Sequence, residues 1–264
     1  MPSALAIAAH PDDIEFVMAG TLLLLRAAGW EIHCCNLSTG NFGSTVMSAA
    51  QTARTRWREA QAAAKLIGAH WHAPICDDLQ IFYTDENIRR VCAVVRAAAP
   101  TVVLTHALED YMEDHMIAAR LAVTATFARG IPHYRSRPHR PPTLQPVTLY
   151  HAMPHGQCTP MRQPVRPEIY VDTTSVHAVK RTALACHASQ REWLDASQGQ
   201  DNYLSVMDGF SLALGKQTRK VPHAEGWRRH QHYGFGAEAD DPLASALGKK
   251  HLLNRIYAAA LKRG

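Results

Sequence analysis

An α/β fold built on a mostly parallel central sheet is predicted by three features of the sequence. Short apolar runs stop abruptly at polar turns, as in Leu5–Ala9 and Thr101–Thr105. Longer alanine-rich or amphipathic runs follow them and end at Gly29, Gly68 and Pro100. The two kinds of run alternate through the first half of the chain, which is the pattern of βαβ units.

Taken in order, residues 4–9 read as a buried strand ending in His10-Pro11-Asp12-Asp13. Phe16–Gly29 reads as a helix stopped by its glycine. Trp30–Leu37 is a second strand, emptying into the glycine-bearing loop Ser38–Ser44, which is neither a GxGxxG nor a P-loop. Backbone amides of this loop are expected to face a ligand. Residues 49–67 form a helix before Gly68, and Ala69–Ile75 a short strand leading to Asp77 and Asp78. Thr84–Ala99 opens with a capping sequence and runs as a helix to Pro100. Thr101–Thr105 is a buried strand, and Met116–Ala128 a helix. Residues 130–168 hold 9 of the 15 prolines and much of the arginine, and read as an ordered rim loop containing the strand Val147–Ala152. Ile169–Asp172 is a short strand and Val176–Ala196 a helix. Residues 199–264 are expected to hold a helix, a basic turn over 224–230 and a terminal helix near 250–263. The chain then divides into a domain over 1–198 and a C-terminal helical extension, 199–264, packed on it.

Composition narrows the function classes. Hydrophobic residues make up 47% of the 264, enough for a sizeable core. No apolar run reaches the roughly 20 residues that span a bilayer, and no export signal is read at the N-terminus. The six scattered cysteines form no CxxC pair and fit a reduced, cytoplasmic protein. The net charge of +5 is concentrated in residues 129–166, but no nucleic-acid reader motif accompanies it. That arginine cluster fits the rim of a site for an anionic substrate.

Chemistry concentrates where strands end. His10 and Asp13 share the first turn, and His115 opens the helix after a later strand. If those strands are neighbours, the three converge as a two-histidine, one-carboxylate metal set with open positions for hydrolytic work. Asp12 beside Asp13 is then free to act as a general base toward water. A helix-capping role for either aspartate is the competing reading.

Ala9-His10-Pro11-Asp12-Asp13-Ile14-Glu15 resembles the signature of the PIG-L/LmbE-like zinc-dependent N-deacetylases. Asp110-Tyr111 through Asp114-His115 resembles their second motif, and Arg56, Glu59 and Leu66-Ile67-Gly68 the helix between. The resemblance covers about residues 4–128. It implies a Rossmann-like three-layer fold and hydrolysis of an N-acetyl amide on an amino-sugar-like small molecule by a homo-oligomer. It also implies zinc, or another divalent metal, on His10, Asp13 and His115. Asp12 would be the base, Asp114 would orient a histidine, and Asn41, Arg56 and Asp110 would contact substrate. One departure stands out. A histidine usual three residues before the last ligand is here Met112, which cannot move a proton. His106, His187, His230 and His232 are the candidates to replace it, with His106 favoured by its place at a strand end. A nucleotide-binding, non-catalytic protein is the alternative, supported by the 38–44 loop alone.

Overall fold

The computed structural model describes residues 1–190 and 203–261. Five parallel strands form one half of the sheet: β1 (Ser3–Ala8), β2 (Glu31–Asn36), β3 (His70–His72), β4 (Val102–Thr105) and β5 (Thr148–Ala152). Three antiparallel strands complete it: β6 (Ile169–Asp172), β7 (Ala224–Arg229) and β8 (His251–Leu253). The order is β3-β2-β1-β4-β5-β7-β6-β8. Strand order reverses at β1 and β4, so a crevice opens beyond their carboxyl ends.

Helices cover both faces. Ala4, Ala6 and Ala8 turn their small side chains to one face, where helices α1 (Asp13–Val17) and α2 (Ala19–Ala27) bring Met18, Leu22 and Leu25. Leu5, Ile7 and Ala9 point the other way, against Val91 and Val95 of α4 (Asp85–Ala98) and Leu121 and Ala125 of α5 (Glu113–Ala128). This period-2 alternation on a strand buried on both faces explains its unbroken apolar run. Helix α3 (Ala49–Ile67) opens with a Ser48–Gln51 capping box and closes on Gly68 at φ 76°. Helix α4 is capped by Thr84. Helices α6 (His177–Ala185), α7 (Tyr203–Thr218), α8 (Pro242–Leu247) and α9 (Arg255–Leu261) follow.

Four expectations are corrected. The single helix over Phe16–Gly29 is two helices, broken at Met18. The second begins where the Glu225 carboxylate accepts from Gly20 N–H (2.8 Å), Thr21 N–H (2.7 Å) and the Thr21 hydroxyl (2.6 Å). A buried carboxylate at a helix N-terminus satisfies amides that have no partner within the helix. The basic turn over 224–230 is strand β7, inserted between β5 and β6. Its polar letters concealed it because Glu225 is buried against Lys180 Nζ (2.7 Å), while Arg228 and Arg229 lie at the less buried end. The C-terminal part is therefore not only helical: it supplies β7 and β8 to the sheet. The helix expected over Val176–Ala196 is broken after Ala185 and helix resumes over residues 188–190, while residues 191–196 lie outside the described residues. Residues 199–202 of the C-terminal segment also lie outside them.

Glu225 and Lys180 are both nearly inaccessible, so either left alone is a buried unpaired charge. Lys180→Met is expected to destabilise the fold by about 3–5 kcal/mol, and Lys180→Met with Glu225→Gln by clearly less than the sum of the singles. Urea unfolding of the four proteins measures this; additive losses would show that the pair does not act as a unit.

Candidate metal centre and its cavity

The β1 turn folds on itself through Asp13, whose Oδ2 accepts from the His10 backbone N–H at 2.7 Å. Between them Asp12 sits at φ 109°, a left-handed conformation rare for a non-glycine residue and worth roughly 1–3 kcal/mol of strain. The neighbours that hold it there are Tyr203, whose hydroxyl donates to Asp12 Oδ2 at 2.6 Å, and Arg56 Nη2, 3.5 Å from Oδ1. Burial, with the Tyr203 phenol pushed well above its usual range by that burial and by the Asp12 charge, keeps the hydroxyl a donor.

Asp13 faces three imidazoles. Its carboxylate lies 3.3 Å from His10 Nδ1, 3.2 Å from His106 Nε2 and 3.5 Å from His115 Nε2. Burial works against the charge on Asp13, yet His115 and His106 hold it well below the usual carboxylate range. Each of two histidines has a second carboxylate behind it. His10 Nε2 is 3.1 Å from Asp114 Oδ2, and His115 Nδ1 is 3.3 Å from Asp110 Oδ1. Burial opposes a proton on His10, but Asp114 and Asp13 push it up to about 10. Burial likewise opposes one on His115, where Asp13 and Asp110 prevail and raise it.

The sequence expected His10, Asp13 and His115 to meet, and they do: their ligand atoms all lie within 4.8 Å of one another. The donor set fits a divalent cation. Two imidazoles and a carboxylate are present, each imidazole is oriented by an outer carboxylate, and the negative groups around the cavity outnumber the single guanidinium of Arg56. His106, Asp110 and His115 form a second such group. It fits less well, because His106 Nε2 accepts the Ala9 N–H at 3.0 Å and Asp110 is placed to orient His115.

The same bond changes the reading of His106. An Nε2 that accepts from Ala9 carries no proton to give, and the ring stacks on His115 at 4.2 Å and 5°. Burial, then His115, push its pKa down. The other candidates for the Met112 role are elsewhere. His187 is buried 3.3 Å from Glu15, His230 pairs with His151 at 2.9 Å, and His232 lies against Tyr233; none of the three lines the cavity.

The residues expected to touch substrate divide. Arg56 lines the cavity, but its terminal nitrogens donate to the carbonyls of Pro11 and Gly40, and Gly40 at φ 68° has no room for a side chain beside that guanidinium. Asn41 does not line the cavity; its Oδ1 accepts from Asp78 N–H at 3.0 Å. Asp78 in turn accepts from the Ser38 hydroxyl (2.6 Å) and Phe42 N–H (3.1 Å). The 38–44 loop is thus closed around Arg56 and Asp78, and its amides do not form an open anion cradle. Asp110 is buried between His115 and the His155 N–H (3.2 Å), placed to steer His115. The arginines of the rim are not at the cavity: Arg137 pairs with Glu86 on α4 at 2.8 Å, and Arg140 borders a separate groove. From the segment 130–168 it is Met153 and His155 that reach the cavity.

Two cavity residues went unforeseen. His155 follows β5, so the rule that ligands bind at strand carboxyl ends would have found it. Tyr203 has no local signal, since only the packing of α7 against α1 brings it to Asp12. The cavity measures about 270 Å³ and has an aromatic wall of Phe16, Phe42, Tyr111 and Tyr203.

A metal-ready site at the switch point of a Rossmann-like sheet defines this protein as an α/β enzyme. A family model described as "PIG-L: GlcNAc-PI de-N-acetylase" matches residues 5–126. The 4-oxalmesaconate hydratase of Pseudomonas putida is 30% identical over 196 residues, covering 71% of this chain and 74% of that protein. The diacetylchitobiose deacetylase of Thermococcus kodakarensis is 27% identical over 201 residues, covering 70% and 69%. Among solved structures, the 4-carboxy-2-hydroxymuconate hydratase of P. putida aligns with a TM-score of 0.74 at 25% identity, over 91% of this chain and 99% of that one. The N,N'-diacetylchitobiose deacetylase of Pyrococcus horikoshii aligns at 0.73 and 21% identity, over 90% and 88%. The chain belongs to the PIG-L family.

Asp114→Asn and Asp110→Asn remove the charge behind each histidine without touching the cavity face of the ring. Each is expected to weaken divalent-metal affinity by about 10–100-fold. Competition against a chromophoric chelator measures it; unchanged affinity in both variants would remove the orienting role.

Proposed function

We propose that this protein is a metal-dependent hydrolase that cleaves an N-acyl amide, acetyl foremost, of a small amino-sugar-like substrate. The observation that carries the reading is the convergence of His10, Asp13 and His115 at the cavity with Asp12 beside them. A divalent cation, zinc by family resemblance, would be held by those three, and when bound it supplies Lewis acidity that acidifies water and polarises a carbonyl. The chain's own groups supply the rest. Asp12 Oδ2 accepts from the Tyr203 hydroxyl, and Oδ1, 3.5 Å from the Arg56 guanidinium but with no hydrogen bond as short, is the oxygen that would take a proton from water. Burial, with Asp13 adding to it, pushes the Asp12 carboxyl up and makes it a stronger base than a surface aspartate.

Expulsion of an amine requires a proton donor, and Met112 is not one. His155 takes that part in this reading. Its ring lines the cavity, walled by Phe16, Tyr111 and Phe210, and burial pushes its pKa down, so it would first take the proton that Asp12 accepts from water and then pass it to the leaving amine.

A second reading, hydration of a carbon–carbon double bond, is favoured by Met112 and by the 30% identical hydratase, since adding water expels no amine. A carboxylated substrate for such a step calls for a cationic side chain beyond the residues that would hold the metal. Among the described residues lining the cavity, Arg56 is the one guanidinium, and it is engaged by two backbone carbonyls. That supports the amide reading.

Amine release from a panel of N-acetylated amino sugars, run beside loss of ultraviolet absorbance from unsaturated dicarboxylates, separates the two. Asp12→Asn is expected to lower kcat by about 10²–10⁴ with metal content unchanged, and His155→Gln to lower kcat with little change in KM. Normal turnover by Asp12→Asn would sink the mechanism. Turnover on the dicarboxylates alone would replace the substrate class.

A further inference from the structure

A second group of histidines lies far along the strands from the cavity. Asn36, which ends β2, donates its side-chain amide to the His10 carbonyl at 2.6 Å, so that end of the strand belongs to the cavity. Glu31 and His33 stand toward the other end of β2, two residues apart and therefore on one face of the sheet. His70 and His72 on β3 share that face, with His70 in register opposite His33. Four polar side chains that alternate with Ile32, Cys34 and Trp71 thus gather at the edge of the sheet.

Glu31 stands between two of the imidazoles at distances that suit a shared ion. Glu31 Oε1 lies 3.3 Å from His33 Nε2 and 3.3 Å from His70 Nε2. Two ligand atoms on a tetrahedral ion with bonds of about 2.1 Å are about 3.4 Å apart, so both separations suit one ion. His33 is the anchor. Its side chain is 8% exposed, and its Nε2 is buried without a hydrogen-bond partner. A buried nitrogen of this kind is costly unless something occupies it. The other ring nitrogen is already fixed, 3.0 Å from His72 Nε2. When His33 Nδ1–H donates to His72, the lone pair of His33 points from Nε2 toward Glu31. His70 completes the set from outside. The His33 and His70 ring centroids are 5.1 Å apart, and the His70 side chain, 68% exposed, has the freedom to turn its nitrogen toward the same ion.

We infer that Glu31, His33 and His70 form a second divalent-cation site, of the kind that takes zinc, nickel or copper, with His72 as the residue that orients His33. Two imidazoles and one carboxylate favour these borderline ions over calcium or magnesium, which seek oxygen. The site ties β3, a three-residue edge strand, to β2 by ligands from both strands. It shares no residue with the cavity and does not depend on the reaction assigned there.

Calorimetric titration of the metal-free full chain with Zn2+ tests this, using His70→Ala as the principal variant because an exposed ring can be removed without disturbing the fold. Wild type is expected to take up one equivalent more than His70→Ala, while the turnover of the two, each loaded with metal, is the same. Glu31→Gln is expected to lose the same equivalent, and His72→Ala to keep it with affinity weakened by about tenfold. Equal stoichiometry in wild type, His70→Ala and Glu31→Gln would overturn the inference. Loss of turnover in His70→Ala would do so too, because the missing equivalent would then belong to the cavity.

Discussion

A single carboxylate, Asp13, sets the arrangement of the site. It accepts from the His10 backbone, which closes the turn, and stands within about 3.5 Å of three imidazoles contributed by two different strand ends. Buried rings so close together repel one another once protonated, and the negative charge among them is what makes their proximity tolerable. Asp114 and Asp110 extend the same logic outward, each behind one ring. The result is a pocket of charge built for a cation, placed by topology at the point where the sheet reverses its strand order.

The second dependence runs through the C-terminal part of the chain. Tyr203 holds one oxygen of Asp12, and Glu225 caps α2, the second helix after the β1 turn. Both come from residues more than 190 positions away from their partners, so the turn after β1 is shaped by the end of the chain as much as by its own sequence. The strained backbone of Asp12 is the local sign of that outside control. Held through Oδ2 by the Tyr203 hydroxyl and faced at Oδ1 by Arg56 Nη2, the carboxylate is kept in one fixed direction.

Much of this was legible from residue order alone. The strand ends after Ala8 and Thr105, the helix over 49–67 and the meeting of His10, Asp13 and His115 follow from apolar runs, glycine stops and strand-end polarity. What was hidden had physical reasons. Strand β7 carries Glu225, Arg228 and Arg229, letters that belong to a surface until their partners Lys180 and Glu168 are known. Asn41 resembled a substrate contact because its neighbours are functional, yet its Oδ1 is turned to Asp78, whereas Asp110 lines the cavity with Oδ1 toward His115. The arginines of residues 129–166 suggested an anionic rim, but Arg137 is matched by Glu86 and Arg129 by backbone carbonyls. Sequence shows which charges exist; only packing shows which are already paired.

The most direct test of the account is where a cation settles in the cavity. Crystals of the zinc-loaded protein, with data collected on both sides of the zinc absorption edge, locate the ion by its anomalous scattering. An ion bound by His10 Nδ1, Asp13 and His115 Nε2, with Asp12 beside it and not ligating, is the predicted result. A cavity ion held by His106 and Asp110, or none between His10 and His115, would contradict the account.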